Sequence, residues 1–419
     1  MEDSMMGESG SFWEQKQDRQ DFLQKTSDLV GESDADYSML SLNLDNYSAL
    51  ECVFGRQMIG KLVCAVSTAI SGYVGGKGFW TSIGNERFYA CLLSEKVLPE
   101  KLSGLISINM MMLKVKSFLC YHMGYARIEN HRESIFLAMN QADEARKQVQ
   151  NIFSANAGYF NTAMTENMIL EQQLLAGIKE ALIKKDFTAF FQPIYNTQKR
   201  LCAMEALGRW KRNDALVMPD TFVPIMEKYG MIQKLDFQIL EKALFFLQTA
   251  LQKHKNVVPV SVNISRYYLS DQSLADQICQ MVDRFGISHH LIKLEITETA
   301  GNVSQSISKL VMQLKKMEFA VILDDCGSGY ATPEAIMDAQ FDMVKIDRAF
   351  AQNMLSDRHS NILLRHMLAA FHEMGIPTIV EGVENAAVCE QLCAMDCKYM
   401  QGFYFSRPLV QSEAEQLLI

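Results

Sequence analysis

The second half of the chain repeats one pattern: a short run of β-branched and other apolar residues, then a stretch long enough for a helix. The runs are Phe187 to Tyr195, Leu201 to Leu207, Val257 to Ile264, Leu291 to Ile296, Ala320 to Leu323, Met343 to Ile346, Thr378 to Val380 and Met400 to Phe405. Eight such runs with intervening helices are the count of a TIM-like (β/α)8 barrel, and residues 186–419 come close to the roughly 250 residues that barrel uses. Six of the runs end in a polar or ionisable group. Glu205 follows Cys-Ala-Met, Asn263 follows Val-Ser-Val, Glu295 follows Ile-Lys-Leu, Asp324 and Asp325 follow Val-Ile-Leu, Lys345 follows Asp-Met-Val, and Glu381 follows Ile-Val. The C-terminal ends of barrel strands converge on one face, so these groups are expected to share one mouth.

A lone acid after a strand is ordinarily a helix cap or a surface turn. Seven groups in strand-end register point instead to a site. Clustered carboxylates raise one another's proton affinity when partly buried, and divalent cations relieve that repulsion. All-oxygen donors with one amide carbonyl favour Mg2+ or Mn2+ over zinc. The adjacent pair Asp324–Asp325 allows one carboxylate to bridge two cations while its neighbour holds the second. Two ions about 3.5–4 Å apart suit in-line displacement at phosphorus. Lys345 would orient the attacking water or stabilise charge on phosphorus, and a structural pairing with Asp347 or Asp324 is compatible with that role. Arg209, two positions past the mouth, is either a surface ion pair or the nearest cation for a phosphate.

The first half reads differently. Residues 1–35 are a polar lead-in, helical or disordered, and residues 36–161 form a compact α/β domain. Its strands are expected at Tyr37 to Leu44, Gly78 to Trp80, Arg87 to Leu93 and Tyr121 to Ile128, with helices from Ala49 to Ser71 and Ser134 to Ile152. Residues 162–185 form a proline-free linker helix that would join the halves rigidly, followed by the barrel over 186–419. The net charge of −9 argues against binding a nucleic-acid polymer. The uncharged run Leu62 to Gly76 is shorter than the roughly 18 apolar residues of a membrane helix, and the acidic start lacks a signal-peptide pattern, so a cytoplasmic setting with no membrane span is expected. Ten cysteines are then expected to stay reduced, with Cys389, Cys393 and Cys397 on one helical face as packing rather than metal ligands.

The ordered residues of the second half resemble the EAL-domain phosphodiesterases that hydrolyse cyclic di-GMP. The resemblance runs through Phe191-Gln192-Pro193-Ile194, Glu205-Ala206-Leu207 with Arg209-Trp210, Val262-Asn263-Ile264-Ser265, Glu295-Ile296-Thr297-Glu298, Asp324-Asp325, Val344-Lys345-Ile346-Asp347, Glu381-Gly382-Val383-Glu384 and Gln401-Gly402-Phe403. It implies that Glu205, Asn263, Glu295 and Asp324 hold one cation, and that Asp324 and Asp325 hold the other with Glu381 nearby. Lys345 and Gln401 would position water and the metal-site groups, while Arg209, Gln192 and Leu207 would contact the substrate. Glu298 would brace the loop after Asp325, which in this family links a homodimer interface to the metals. Here Cys326 stands where the family usually has Phe, Ser328 where it has Thr, and Ala331-Thr332 where it has Ser-Ser. The implied activity is metal-dependent hydrolysis to linear pGpG; the rival reading is a non-catalytic cyclic di-GMP receptor or protein-interaction platform.

The first half resembles a degenerate GGDEF domain, the fold of diguanylate cyclases, over about Tyr37 to Tyr159. Asn43-Leu44-Asp45-Asn46-Tyr47, Gly84-Asn85-Glu86-Arg87-Phe88 and Ala142-Asp143-Glu144-Ala145 carry the likeness. Cyclisation of GTP needs carboxylates holding cations on the triphosphate. Asn43 stands in place of one, Arg87 reverses the charge of a Glu, and Asn85 replaces a glycine. Glu86 alone survives, so the resemblance implies no cyclase activity, with weak GTP binding or a passive scaffold as the expected role.

Overall fold

The computed structural model describes residues 16–17, 19–112, 120–128, 134–149, 157–212, 215–268, 271, 273–297, 304–327 and 340–418. The chain divides into two units, residues 1–170 and 171–419. The boundary falls inside one helix, Thr162–Lys184.

The first unit is built on a six-stranded sheet of β1 (Lys16–Gln17), β2 (Tyr37–Leu44), β3 (Phe79–Ile83), β4 (Arg87–Leu93), β5 (Tyr121–Ile128) and β6 (Ala157–Tyr159), in the order β1-β3-β4-β2-β5-β6. Alternation along β2 and β4 sends Leu40, Leu42, Leu44, Phe88, Ala90 and Leu92 to one face, where they meet the helices Tyr47–Val74 and Pro99–Met112. Met39, Tyr89 and Cys91 go to the other, against Arg19–Glu32 and Ile135–Lys147. The polar lead-in is therefore partly structural: Phe22, Thr26 and Val30 of its helix are buried in this core. Helix Tyr47–Val74 outruns the expected Ala49–Ser71 and is interrupted at Gly55, whose φ is 74°. By length and composition it is apolar enough to cross a membrane. Its Ile59, Leu62, Val66, Ile70 and Val74 are nevertheless buried within the unit, as expected of a core helix.

The second unit is an eight-stranded barrel with one appended strand. Its strands are β7 (Phe187–Asn196), β8 (Leu201–Arg212), β9 (Ala215–Val217), β10 (Val260–Ile264), β11 (Ile292–Thr297), β12 (Ala320–Cys326), β13 (Met343–Ile346), β14 (Thr378–Val380) and β15 (Tyr399–Met400). Pairing of β10 with β8 closes the ring β8-β10-β11-β12-β13-β14-β15-β7. All neighbours run parallel except β7, which is antiparallel to both β8 and β15. This corrects the expected uniform β/α alternation. The turn after Asn196 is too short for the dozen or more residues of a parallel crossover, so β7 and β8 form a hairpin.

Three further expectations change. Strand β8 continues to Arg212 and pairs with β9, placing Arg209 within the strand rather than beyond it. The last run stops at Met400, and the next residues form a turn. Helix Ala386–Ala394 ends before Cys397, which is buried beyond it, so the three cysteines do not share one helical face. Helix Ile232–Gln252 lays Leu235, Ile239, Leu240, Ala243 and Leu247 into the main core. Gly177 lets helix Thr162–Lys184 approach Trp210 closely, since a Cβ there would lie 3.0 Å from the ring.

Candidate active site

The strand register explains why the acids meet. Glu205 lies opposite Ser261, Asn263 opposite Glu295, and Asp324 opposite Thr297. Each passage between neighbouring strands moves the polar position by two residues or none, and an even step keeps a side chain on the same face of the sheet. Gln192 of β7 lies opposite Glu205, and Lys345 of β13 opposite Ile379, two residues before Glu381.

The pair Asp324–Asp325 needs a further device, because consecutive residues of a regular strand point to opposite faces. The β12–β13 register shifts between Leu323 and Cys326, and Asp325 adopts a left-handed φ of 55°. Such backbone is costly for a residue with a Cβ and is concentrated at functional sites. It turns the second carboxylate back, so that oxygens of Asp324, Asp325 and Glu381 lie within 4.8 Å of one another, a spacing that can hold a cation.

Lys345 stands at the centre. Its Nζ is 2.5 Å from Glu381, 2.8 Å from Glu295 and 3.1 Å from both Glu205 and Asp324, with the side chain only 1% exposed. Asn263 Nδ2 donates to Glu205 Oε1 at 3.0 Å, and Gln401 Nε2 donates to Glu205 Oε2 at 2.8 Å. The Asn263 carbonyl is thereby left for another partner. Among the described residues, Glu295 Oε1 and Gln401 Oε1 are buried without a hydrogen-bond donor. Orphaned acceptors beside crowded carboxylates are an arrangement that a hard divalent cation would complete.

Electrostatics tell the same story. Burial, opposed by Lys345 and reinforced by Asp324, pushes Glu381 up to about 8. Burial and the neighbouring Asp324 raise Asp325 to about 6. Glu295, buried beside Glu205, is raised well above the usual carboxylate range. Glu205 is the exception: burial opposes its ionisation, but Lys345 and the amides of Gln401 and Asn263 outweigh it and hold the group low.

A groove of about 350 Å3 opens beside this cluster, lined by Gln192, Leu207, Arg209, Arg348, Glu381, Glu384, Gln401 and Phe403 among others. The structure thus gathers Glu205, Asn263, Glu295, Asp324, Asp325, Lys345, Glu381 and Gln401 into the mouth, with Gln192, Leu207 and Arg209 on the adjoining groove. Glu298 and the positions Ser328, Ala331 and Thr332 lie outside the described residues.

A family model for the EAL domain matches residues 176–408, more than half of the chain. The chain belongs to the EAL domain family. Among its relatives, the biofilm architecture maintenance protein MbaA of Vibrio cholerae is 29% identical over 293 residues, 69% of this chain and 37% of MbaA. The cyclic di-GMP phosphodiesterase RocR of Pseudomonas aeruginosa is 28% identical over 245 residues, 58% of this chain and 62% of RocR. The structure of the MucR phosphodiesterase of Pseudomonas aeruginosa in complex with cyclic di-GMP is 27% identical, covers 59% of this chain and all of that one, and superposes with a TM-score of 0.55. The chain spans between 34% and 62% of the length of such curated relatives.

Two residues of this EAL barrel escaped the strand-end reading. Arg348 reaches the groove from the helix after β13, Arg348–Asn353, and so has no strand-end signature. Asp236 lies on helix Ile232–Gln252, where its buried carboxylate accepts the Ser265 amide at 2.7 Å and the Tyr268 hydroxyl. Burial raises it to about 7, against the pull of those hydrogen bonds. It anchors the backbone two residues beyond Asn263. A charged residue inside the apolar stripe Ile232, Leu235, Ile239, Leu240 was the available signal.

Proposed function

We propose that the barrel hydrolyses one phosphodiester bond of cyclic di-GMP to give linear pGpG, using two divalent cations, Mg2+ or Mn2+. The observation that carries this reading is the charge imbalance at the mouth. Four carboxylates around one ammonium, with Asp325 beside them, would carry an excess of four negative charges once all are ionised, the charge of two dications that would hold them so. Glu205, Asn263, Glu295 and Asp324 would hold one, and Asp324, Asp325 and Glu381 the other. The ions would supply Lewis acidity, making water a nucleophile at neutral pH and stabilising charge on the phosphoryl oxygens.

The chain's own groups do the positioning. Lys345 fixes four carboxylates relative to one another, and the amides of Asn263 and Gln401 orient the two oxygens of Glu205. Arg209 and Arg348 offer charge to the substrate phosphates. Phe403, 52% exposed in the groove, offers a flat face for a guanine. The activities for which RocR and MucR are named support this substrate. A reducing cytoplasmic setting, in which the ten cysteines stay thiols, is part of the same reading. A homodimer through the barrel, coupled by Glu298 and the loop after Asp325, is part of the same proposal.

The first unit is read as a degenerate GGDEF-like domain with a structural or regulatory role. Asn43 lies across from both Arg87 and His122 in the sheet, and Asp45 pairs with His122 at 2.6 Å. That sheet end pairs its acid with histidine and sets an arginine where a second carboxylate would be needed, which supports absence of cyclase chemistry and at most weak GTP binding through Glu86.

The test is chromatographic separation of pGpG from cyclic di-GMP after incubation with Mg2+ or Mn2+. Product formation that the Glu205→Ala variant loses is the expected result. Tight binding without turnover would replace the enzyme by a receptor.

A further inference from the structure

The EAL unit carries a second group of metal-ligating side chains that shares no residue with the mouth. Cys279 and Asp283 lie one turn apart on helix Leu274–Phe285 and so face the same way. The helix ends at Gly286, whose left-handed φ of 65° turns the chain back and brings His289 over that face. Donor atoms of Cys279, Asp283 and His289 all lie within 4.8 Å of one another.

The imidazole is held in one orientation. Its Nδ1 is 2.6 Å from the Met317 carbonyl, and its ring stacks on Phe319 with centroids 4.4 Å apart and planes 13° from parallel. A carbonyl only accepts, so Nδ1 carries the proton. In the neutral ring Nε2 then presents a lone pair to Asp283 Oδ1, 2.9 Å away. Two acceptors at that distance need a positive charge: a second proton on the ring, making an ion pair, or a cation shared by both. The ion pair accounts for His289 and Asp283 and leaves the third group only a weak thiol hydrogen bond. The Cys279 thiol is aimed at the other oxygen of the same carboxylate, Oδ2, at 3.6 Å.

A tetrahedral zinc ion with bonds of about 2.0–2.3 Å holds its donors roughly 3.3–3.8 Å apart. The distance from sulfur to Asp283 Oδ2 falls in that range, while the imidazole faces Oδ1 at 2.9 Å, so an ion would hold both oxygens or require the carboxylate to turn one of them toward both donors. An imidazole whose far nitrogen is fixed by a backbone carbonyl is the usual backing of a metal ligand. Thiolate, imidazole and carboxylate together suit zinc, unlike the all-oxygen mouth. Partial exposure of Cys279 and His289 leaves room for water as the fourth ligand.

We propose that Cys279, Asp283 and His289 form a zinc site on the barrel. It would tie the end of helix Leu274–Phe285 to the turn feeding β11, the strand that carries Glu295, and so brace the scaffold without touching the reacting groups.

Titration of the intact protein with Co2+, in saturating Mg2+ to occupy the mouth, tests this. The expected result is a thiolate-to-cobalt charge-transfer band that zinc abolishes by displacement. The band should vanish in Cys279→Ala and persist in Cys326→Ala, whose thiol is adjacent to Asp325. His289→Gln should weaken cobalt binding about 10- to 100-fold. Circular dichroism of each variant verifies the fold, which truncation of a half-buried thiol leaves intact. No band, or a band surviving in Cys279→Ala, would overturn the proposal. Affinity unchanged in His289→Gln would do the same, reducing His289 and Asp283 to an ion pair.

Discussion

The two units treat buried charge in opposite ways. In the first, two acids at the sheet each face partners that are not acids: Asp45 has His122 at 2.6 Å, and Asp143 accepts the hydroxyls of Ser41 at 2.6 Å and Tyr89 at 2.7 Å with Arg146 at 3.5 Å. In the barrel, four carboxylates crowd around Lys345, and Asp325 beside them holds left-handed backbone. Acids that are satisfied internally build a fold. Acids held together with their charge unbalanced lower its stability and persist where a ligand completes them. On the proposed reading, the first unit serves as a scaffold and the barrel as the site.

The largest effect should come from the group on which the barrel's balance turns. Lys345→Met leaves four carboxylates facing one another, and loss of one partner of a buried ion pair costs about 3–5 kcal/mol. Urea unfolding of the cation-free protein should show that loss, and turnover should disappear with it. Next comes Asp325→Asn, which keeps shape and removes one charge. It is expected to reduce kcat by about 100- to 1,000-fold, a loss comparable to that of one electrostatic group in other active sites, with an unchanged circular dichroism spectrum.

Chelation sharpens the contrast through pH. Glu381, at about 8 in the fold against an ordinary 4.5, binds its proton more tightly folded than unfolded. Its contribution to stability is therefore present below the ordinary value and is lost as pH rises toward 8. Thermal melts in chelator should fall across that window, and saturating Mg2+ should flatten the fall. A smaller effect is expected from Asp236→Ala, which frees the Ser265 amide and lets Asn263 shift: about 10-fold in kcat, as for groups that orient metal ligands. Asp236→Asn should recover most of it by again accepting those hydrogen bonds. Smallest of all, Asp143→Ala should destabilise the first unit by about 1–3 kcal/mol through two stranded hydroxyls while barrel turnover stays within twofold. A large loss of turnover there would break the division between scaffold and site.

Much of the barrel was legible because its signal is periodic. Apolar runs ending in Glu205, Asn263, Glu295, Asp324, Lys345 and Glu381 announce strands whose ends meet, and register carries them to one face. The reversal of β7 was readable in principle, since the gap between Tyr195 and Leu201 cannot hold a crossover helix, but strand periodicity carries no direction. The bulge that lets Asp325 join Asp324 was not readable, because alternation predicts opposite faces for neighbours. Arg348 and Asp236 were missed because they act from helices, where the signal is one charge in an otherwise ordinary stripe. In the first unit, the changes at Asn43, Asn85 and Arg87 were visible residue by residue, while the internal pairing of Asp45 and Asp143 required the fold.

One incubation tests the central claim most directly: the purified protein with both GTP and cyclic di-GMP in Mg2+, the products resolved by chromatography. The account predicts that cyclic di-GMP becomes pGpG while GTP remains intact. Intact cyclic di-GMP, or cyclic di-GMP newly formed from GTP, would contradict it.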